Sequence, residues 1–355
     1  MPDGVPLAPL TTLRLGGPAR TLREVDDEEQ LIRAVADADD RGEPLLVLGG
    51  GSNLLIGDDG FPGTVVVVRT RGVRVDADAD AGAAVTVEVA AGEPWDDVVH
   101  RAVESGWAGV ECLSGIPGLT GATPIQNVGA YGQEVADTLV SVRAYDRRFR
   151  QVVQIAAMDC GLGYRTSRFR SDRDGHVLLS VTFRLAFADR SASVRYAELA
   201  RVLDVSLGTR VPLATAREAV LDLRRRKGMV LDAADRDTWS AGSFFTNPVL
   251  SRAAYEQLSE RAGQRWGEDA RPPAYPAGND SVKTSAAWLV ERAGFVRGYG
   301  SGAARVSTKH ALALTHRGGG TSADLVALAR EIRAGVHAKF DILLEPEPVL
   351  IGVTL

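Results

Sequence analysis

Residues 114–132 read SGIPGLTGATPIQNVGAYG, and this stretch follows neither the helical nor the strand period. Two prolines restrict its backbone, several glycines permit close approach of other atoms, and Thr123, Gln126 and Asn127 add hydrogen-bonding groups. A long irregular segment inside a compact domain is usually functional. The stretch therefore predicts a binding loop.

A second glycine-rich tract, LGGGSNLL, occupies residues 48–55 and follows the short apolar run Leu45–Leu48. Consecutive backbone N–H groups after a strand can form a nest for a phosphate group. The tract matches neither GxxxxGK[ST] nor GxGxxG, so a P-loop kinase and a standard Rossmann site are unsupported. From the residues alone, a phosphate nest and a tight structural turn are both open.

Around these tracts the periodicity is that of an α+β protein. Alternating valines at 85, 87 and 89 are typical of half-buried antiparallel strands. Helices are predicted over Asp26–Arg41, Pro94–Glu104, Ala214–Lys227, Ser281–Ala293 and Thr321–His337. Strands are predicted over Leu45–Leu48, Thr64–Val68, Val73–Val75, Val85–Val89, Val140–Tyr145, Gln151–Ile155, Val177–Leu185 and Pro348–Leu355, the last of them buried.

The overall composition excludes several classes of protein. The 355 residues are 45% hydrophobic and 25% charged, as in ordinary globular chains. A net charge of −5 does not favour nucleic-acid binding, although a local pocket for a small anion stays open. No apolar run approaches the roughly 20 residues of a membrane span, and the start lacks a signal peptide, so we expect a cytoplasmic protein. Cys112 and Cys160 have no metal-ligand spacing, which predicts two buried, inert thiols and no metal site.

Seven motifs occur in the order found in one family of flavoenzymes. They are LGGGSNL at 48–54, IPGLTGATPIQNVGAYG at 116–132, GYRTSRF at 163–169, GSFFTNPV at 242–249, KTSAAWL at 283–289, KHAL at 309–312 and LEPE at 344–347. From about Leu10 to Gly352 the chain resembles the UDP-N-acetylenolpyruvoylglucosamine reductases of early peptidoglycan synthesis. Tyr196 and the insertion around it resemble the branch in which a mobile tyrosine loop covers the bound substrate.

The resemblance implies an α+β flavoprotein fold of the PCMH or vanillyl-alcohol oxidase type, with a third, substrate-binding α+β domain. Residues 1–70 and 71–219 would form two FAD-binding subdomains, the second with the tyrosine loop near 190–210. Residues 220–335 would bind the substrate, and residues 336–355 would return a strand to the flavin site. The implied enzyme is a monomeric, cytoplasmic UDP-N-acetylmuramate dehydrogenase of cell-wall biogenesis. Its cofactor is FAD, its co-substrate is NADPH, and its partners are small molecules rather than nucleic acid or membrane.

The family's functional residues map onto this sequence motif by motif. The catalytic residues implied are Arg165, Ser243 and Glu347. The FAD-binding residues implied are Gly49, Gly50, Gly51, Ser52, Asn53, Ile116, Pro117, Gly118, Gly121, Thr123, Gln126, Asn127, Gly129 and Ala130. The substrate contacts implied are Tyr196, Lys227, Asn247, Tyr275, Lys283 and His310. A lysine often stands at Thr246 and a glutamine can stand at His310, so both positions depart from a common pattern.

The resemblance also implies a mechanism. Hydride passes from flavin N5 to C3 of the enolpyruvyl group, and Ser243 protonates C2. Arg165 and Glu347 stabilise the charge that develops on the carboxylate, whereas Glu345 has a structural part. On the residues alone, Arg165 would be a surface charge and Ser243 a turn cap.

For Lys227 the residues alone favour a different interpretation. Lys227 would, on the residues alone, belong to the solvated helix end formed with Arg224–Arg226.

The alternatives to the reductase are another FAD-dependent oxidase of this fold and a catalytically silent UDP-sugar-binding protein. The presence of the arginine, serine and glutamate of the catalytic set argues against both.

Overall fold

The computed structural model describes residues 4–76, 83–267, 269–278 and 280–355. Backbone contacts divide the chain into two compact units. Unit 1 contains the described residues among 4–5, Ala19–Gly51 and Phe61–Leu231. Unit 2 contains Pro6–Pro18, Ser52–Gly60 and Asp232–Leu355. The division into domains that the resemblance implies stays a prediction.

The described residues form α-helices and β-strands in mixed order. The helices are α1 Glu28–Asp40, α2 Trp95–Glu104, α3 Arg168–Ser171, α4 Ala197–Leu203, α5 Leu213–Arg226, α6 Arg252–Trp266, α7 Ala286–Ala293 and α8 Ser322–Phe340. The strands are β1 Val5–Pro6, β2 Pro18–Val25, β3 Leu45–Leu48, β4 Leu54–Ile56, β5 Phe61–Val68, β6 Val73–Asp76, β7 Ala84–Ala90, β8 Trp107–Ala108, β9 Gly129–Ala130, β10 Gln133–Glu134, β11 Leu139–Asp146, β12 Gln151–Ala156, β13 His176–Phe187, β14 Ser240–Ser243, β15 Val249–Ser251, β16 Ala274–Pro276, β17 Ser281–Thr284, β18 Ala304–Val306, β19 Ala313–His316 and β20 Val349–Ile351.

The first sheet of unit 1 is parallel, with β5 between β2 and β3. Helix α1 connects β2 to β3, and it begins where the Asp27 carboxylate accepts a hydrogen bond from the Gln30 backbone N–H at 2.7 Å. Leu31 and Val35 on this helix are fully buried in one core with Val66. Because β3 is parallel, the glycine tract after Leu48 lies at the carboxyl end of a strand, where ligands of α/β sheets bind.

The second sheet of unit 1 is antiparallel, in the order β12-β11-β13-β7-β6. The predicted alternation is confirmed, because Val85, Val87 and Val89 are buried while the intervening residues of β7 are half-buried. Helix α2 packs on this sheet through Trp95, whose ring contacts Phe183. The irregular stretch 114–132 follows this core, and it contains a short 3-10 turn at Thr120–Ala122 and, near its end, strand β9, which pairs with β10.

Unit 2 contains small sheets packed against α7 and α8. Strand β19 lies between β14 and β18, β17 lies between β15 and β16, and β20 pairs with β4 in parallel. Phe244 and Phe245 are almost fully buried in a core that includes Leu289 and Ile332. The segment after β14 and the segment before β20 are therefore both held by side chains in this core.

Two secondary-structure predictions were wrong in part. The helix predicted over Ser281–Ala293 is a strand up to Thr284, where burial alternates, and the helix begins after Ser285 caps the Trp288 N–H. The final strand spans only Val349–Ile351 and is half-buried, because β4 is its single neighbour within the sheet described. The first error came from a short segment, in which helical and strand periods are hard to separate.

Candidate functional site

The two glycine tracts meet backbone to backbone in unit 1. A Cβ atom on Gly50 would lie 2.7 Å from the Gly118 Cα atom, a distance that real side chains do not tolerate. Gly118 has a φ of 119°, a conformation that L side chains rarely adopt. A Cβ atom on Gly49 would make only ordinary contact, 3.6 Å from the Leu119 side chain. Glycine at 50 and 118 thus allows the two tracts to come together.

The tract around Gly118 is fixed to the start of α2 and to the strand before it. Gly118 O accepts a hydrogen bond from the Trp95 N–H at 3.0 Å, and Glu93 O accepts one from the Thr120 N–H at 2.8 Å. The Gly121 N–H donates to Ala91 O at 2.9 Å, and a Cβ atom on Gly121 would lie 2.5 Å from the Ala91 Cβ. The loop therefore has a defined backbone although it lacks regular structure.

The other predicted cofactor residues of this loop differ in how they are held. Ile116 packs half-buried against the core of the antiparallel sheet. The Thr123 hydroxyl is buried and donates to Thr120 O at 2.8 Å. Gln126 Oε1 accepts a hydrogen bond from the Arg170 guanidinium at 3.0 Å. Pro117 and Ala130 are half-buried.

Arg165 and its motif pack directly on the stretch 114–132. The Ser167 hydroxyl caps α3 and donates to Ile125 O at 2.5 Å. The Arg165 guanidinium donates to Gly129 O at 2.8 Å and to Asn127 O at 3.4 Å. The side chain is thus held by loop carbonyl groups, so the alternative of a solvated surface charge does not describe it.

Three residues of this region adopt left-handed backbone conformations without being glycine. The φ angles are 45° at Asn127, 50° at Tyr131 and 52° at Arg165. The Asn127 side chain supports this geometry by donating to Glu134 Oε2 at 2.8 Å and accepting from the Ala136 N–H at 2.9 Å. Such conformations cost of order 1–3 kcal/mol each and cluster at functional sites. Their presence supports the loop as a binding element.

A second cluster in unit 1 joins the tyrosine loop to the end of α5. The rings of Tyr196 and Tyr131 meet edge to face, with centroids 5.4 Å apart. The Lys227 Nζ lies 5.6 Å from the Tyr131 ring centroid and 2.5 Å from Glu198 Oε2. Burial raises the pKa of the Tyr131 hydroxyl to about 12. Tyr131 and Glu198 were not predicted as site residues, although Tyr131 stands within the quoted loop.

The basic end of α5 is only partly solvated. Arg225 and Arg226 are exposed, as the helix-end interpretation predicts. For Arg224 the prediction is wrong: its guanidinium donates to Met229 O at 2.7 Å, and its Nε atom is inaccessible to solvent. Burial lowers the pKa of Arg224 to about 10, so this side chain remains charged at neutral pH.

In unit 2 the segments that carry Ser243 and Glu347 pair with each other. Phe245 faces Pro346, and the Glu347 N–H donates to Phe244 O at 2.9 Å. The Asn53 backbone carbonyl accepts from the Val349 N–H at 2.9 Å. Ser243 and Glu347 are both half-buried, whereas Glu345 is exposed. The structure therefore brings three predicted site residues, Asn53, Ser243 and Glu347, into one region.

His310 belongs to the same region through the loop before β19. The Phe244 N–H donates to Leu312 O at 2.7 Å, and His310 Nδ1 accepts from the Leu312 N–H at 3.1 Å. The loop is held by Asp237, which accepts hydrogen bonds from the Thr308 N–H at 2.9 Å and hydroxyl at 2.7 Å. Burial alone would raise the pKa of Asp237, but these hydrogen bonds lower it below its usual value.

The remaining predicted substrate contacts lie on or next to the small sheet of β15, β16 and β17. Lys283 is paired with Val249 on one side and with Tyr275 on the other. Asn247 Oδ1 accepts a hydrogen bond from the Ala286 N–H at 2.9 Å, at the start of α7. Tyr275 is 47% exposed. Tyr275 and Lys283 thus lie on a different sheet from Ser243.

Cysteine chemistry plays no visible part in these clusters. Cys112 and Cys160 are free and buried, as predicted, and burial raises their pKa values to about 12 and 11, which disfavours the reactive thiolate. Among the described residues, no group of three His, Cys, Asp or Glu side chains is arranged to hold a metal ion. In the same residues, no helix has the length and apolar character needed to cross a membrane.

Two models of known families match segments of this chain. A model of the FAD binding domain matches residues 19–148. A model of the UDP-N-acetylenolpyruvoylglucosamine reductase C-terminal domain matches residues 234–351. These matches confirm the predicted α+β flavoprotein fold and the FAD cofactor.

Similar proteins extend over the whole chain. The UDP-N-acetylenolpyruvoylglucosamine reductase of Salinispora arenicola is 58% identical over 353 residues, covering 98% of this chain and 95% of that protein. The reductase of Streptomyces coelicolor is 57% identical over 351 residues, covering 99% of this chain and 90% of that protein. The crystal structure of the Thermus caldophilus reductase matches with a TM-score of 0.64 at 25% identity and covers 98% of each chain.

The residues of unit 1 fit the cofactor that its domain implies. FAD is an extended dinucleotide, and the close contact at Gly50 and Gly118 brings two loops of backbone donors together. The strained segment at Asn127 and Arg165 adds an ordered polar surface to the same loop. The chain belongs to the UDP-N-acetylenolpyruvoylglucosamine reductase family and is an FAD-dependent oxidoreductase.

Proposed function

We propose that this chain reduces UDP-N-acetylenolpyruvoylglucosamine to UDP-N-acetylmuramate with electrons from NADPH, in peptidoglycan precursor synthesis. The observation that carries the proposal is the pairing of the Ser243 segment with the Glu347 segment. These motifs are distant in sequence, and the pairing brings together the segments of the proposed proton donor, Ser243, and the proposed catalytic carboxyl group, Glu347. The full-length similarity to reductases of this name supports the substrate.

FAD, when bound, would supply the hydride-transfer chemistry between NADPH and C3 of the enolpyruvyl group. We propose that residues Gly49–Asn53 hold its pyrophosphate through backbone N–H groups. The cofactor residues of the loop 116–132 would hold the adenosine and the flavin ring. The share of the protein in catalysis is then positioning and electrostatics.

Arg165 is proposed to stabilise the substrate carboxylate. Reduction at C3 places negative charge at C2, and this charge spreads into the adjoining carboxylate. A planar, permanently charged guanidinium suits such a group. The hydrogen bonds from Arg165 to Gly129 O and Asn127 O fix its side chain before the substrate arrives, which limits reorganisation during the reaction.

Ser243 is proposed to donate the proton to C2. A serine hydroxyl is a very weak acid in water, so the role requires a strongly basic carbon centre and a site of fixed geometry. Ser243 ends β14, and the next residue forms hydrogen bonds with both flanking segments, through the Leu312 carbonyl and the Glu347 N–H. Glu347 would share in stabilising the developing charge.

Charged and hydrogen-bonding side chains are proposed to bind the substrate. Lys227 would contact the diphosphate of the nucleotide sugar, and Tyr196 would cover the bound substrate. Asn247, Tyr275, Lys283 and His310 are proposed as further contacts. We also propose that the enzyme is cytoplasmic and monomeric.

The test is to follow NADPH oxidation and product mass with the purified flavoprotein. NADPH consumption should depend on the enolpyruvyl substrate, and each molecule consumed should give one product heavier by two hydrogen atoms. UDP-N-acetylglucosamine, which lacks the enolpyruvyl group, serves as the control. Equal NADPH oxidation with both sugars, or none with either, would refute the proposed activity.

A further inference from the structure

Lys227 makes a short ion pair with a carboxylate of its own unit. Lys227 follows the last turn of α5, and Glu198 lies in the first turn of α4. The Lys227 Nζ and Glu198 Oε2 atoms are 2.5 Å apart, and each side chain is 29% exposed. The cation proposed for the diphosphate is therefore already neutralised within the protein.

The pair is held from both sides by the fold. Helices α4 and α5 pack together through Leu199, Val220 and Leu223, which are buried in one cluster. The Tyr131 ring lies beneath the Lys227 ammonium group, at 5.6 Å, and contacts Tyr196 at its edge. Lys227 is thus kept at one place on the surface, with the carboxylate as its strongest partner there.

The charges around the pair favour an anion once the carboxylate moves away. Lys227 and Glu198 together have no net charge, so as a pair they attract a diphosphate weakly. Arg224 contributes a buried positive charge on the preceding turn of α5. With Glu198 displaced, the positive charges of Lys227 and Arg224 would remain there. A carboxylate that stayed on Lys227 would instead repel the phosphate oxygens.

We propose that Glu198 is an internal competitor for Lys227, which an anionic ligand must displace in order to bind. This inference rests on the proposed contact between Lys227 and the diphosphate. It makes Glu198 a specificity-determining residue, because a ligand with little negative charge cannot replace the carboxylate. The substrate-free protein then keeps its binding cation paired and ordered.

The test measures UDP affinity by isothermal titration for the wild type, Glu198→Gln and Lys227→Met. Glutamine keeps the size of the side chain and an oxygen acceptor but removes the negative charge. UDP should bind Glu198→Gln about two- to fivefold more tightly, the range expected when one partly exposed ion pair no longer competes. Glu29→Gln is the matched control, because Glu29 also lies in a first helical turn and pairs with Arg33 at 2.5 Å. It should leave UDP affinity unchanged.

A double variant separates the possible outcomes. If Glu198 acts through Lys227, adding Glu198→Gln to Lys227→Met should give no further gain in UDP affinity. An equal gain in both backgrounds, or weaker UDP binding to Glu198→Gln, would overturn the inference. Unchanged UDP affinity in Lys227→Met alone would instead remove the proposed diphosphate contact. A melting curve for each variant establishes that the protein is folded.

Discussion

Replacing Gly50 by alanine should separate the two glycine tracts. The added Cβ atom would lie 2.7 Å from the Gly118 Cα atom, and an ordinary contact needs about 3.4 Å. The facing atom is backbone, and its tract is held by hydrogen bonds to α2, so it cannot rotate away as a side chain would. Separating the tracts by the missing 0.7 Å should cost about 1–3 kcal/mol of stability. The flavin content should fall with it, because both loops are proposed to hold FAD.

Gly49→Ala is the matched control for this experiment. Its Cβ atom would meet the Leu119 side chain at 3.6 Å, an ordinary contact, and neither glycine has the left-handed φ that would add backbone strain. Its free energy of unfolding should stay within about 0.5 kcal/mol of the wild type, as for most substitutions without a steric clash. Urea unfolding and the ratio of visible flavin absorbance to protein measure both effects. Equal stability of the two variants would refute the contact between the tracts.

Three further predictions concern unit 2. Ser243→Ala should leave flavin reduction by NADPH near the wild-type rate and slow reoxidation by the enolpyruvyl substrate at least ~10²-fold in stopped-flow absorbance, whereas equal losses in both steps would make the serine structural. Glu347→Gln should show the same pattern, while Glu345→Gln, at an exposed position, should stay near the wild type; the reverse result would exchange their roles. Asp237→Asn should lower the free energy of unfolding by about 1–3 kcal/mol at pH 7. Because hydrogen bonding lowers the pKa of Asp237 in the folded state, that contribution should be lost as pH falls below about 4, so a deficit independent of pH in urea titrations would contradict it.

The sequence was most informative where a local signal agreed with the tertiary structure. The alternating valines of β7 face the core, and Thr321 caps α8 through reciprocal hydrogen bonds with Asp324, as the capping pattern predicts. The irregular stretch 114–132 was recognisable as a binding loop because it combines glycines, prolines and polar residues and has neither a helical nor a strand period. The meeting of Gly50 with Gly118 was not predictable from periodicity, since it depends on how two sheets of unit 1 pack.

Other features depend on contacts between distant segments, which one sequence does not contain. Arg224 is buried because other segments pack around it in the folded protein, whereas a basic run at a helix end predicts exposure to solvent. The strand at Ser281–Thr284 is four residues long, too short to establish a period of two against the helical pattern that follows it. The pairing of Glu198 with Lys227 also required the structure, because only the packing of α4 on α5 brings the two charges together.

The most direct test of the account is an anaerobic single turnover. The flavoprotein is reduced with one equivalent of NADPH, and UDP-N-acetylenolpyruvoylglucosamine is then added while the flavin absorbance is recorded. The account predicts that the colour is lost on reduction and returns in full with one equivalent of the enolpyruvyl sugar, with UDP-N-acetylmuramate as the product. A flavin that stays reduced in the presence of this sugar would contradict the account.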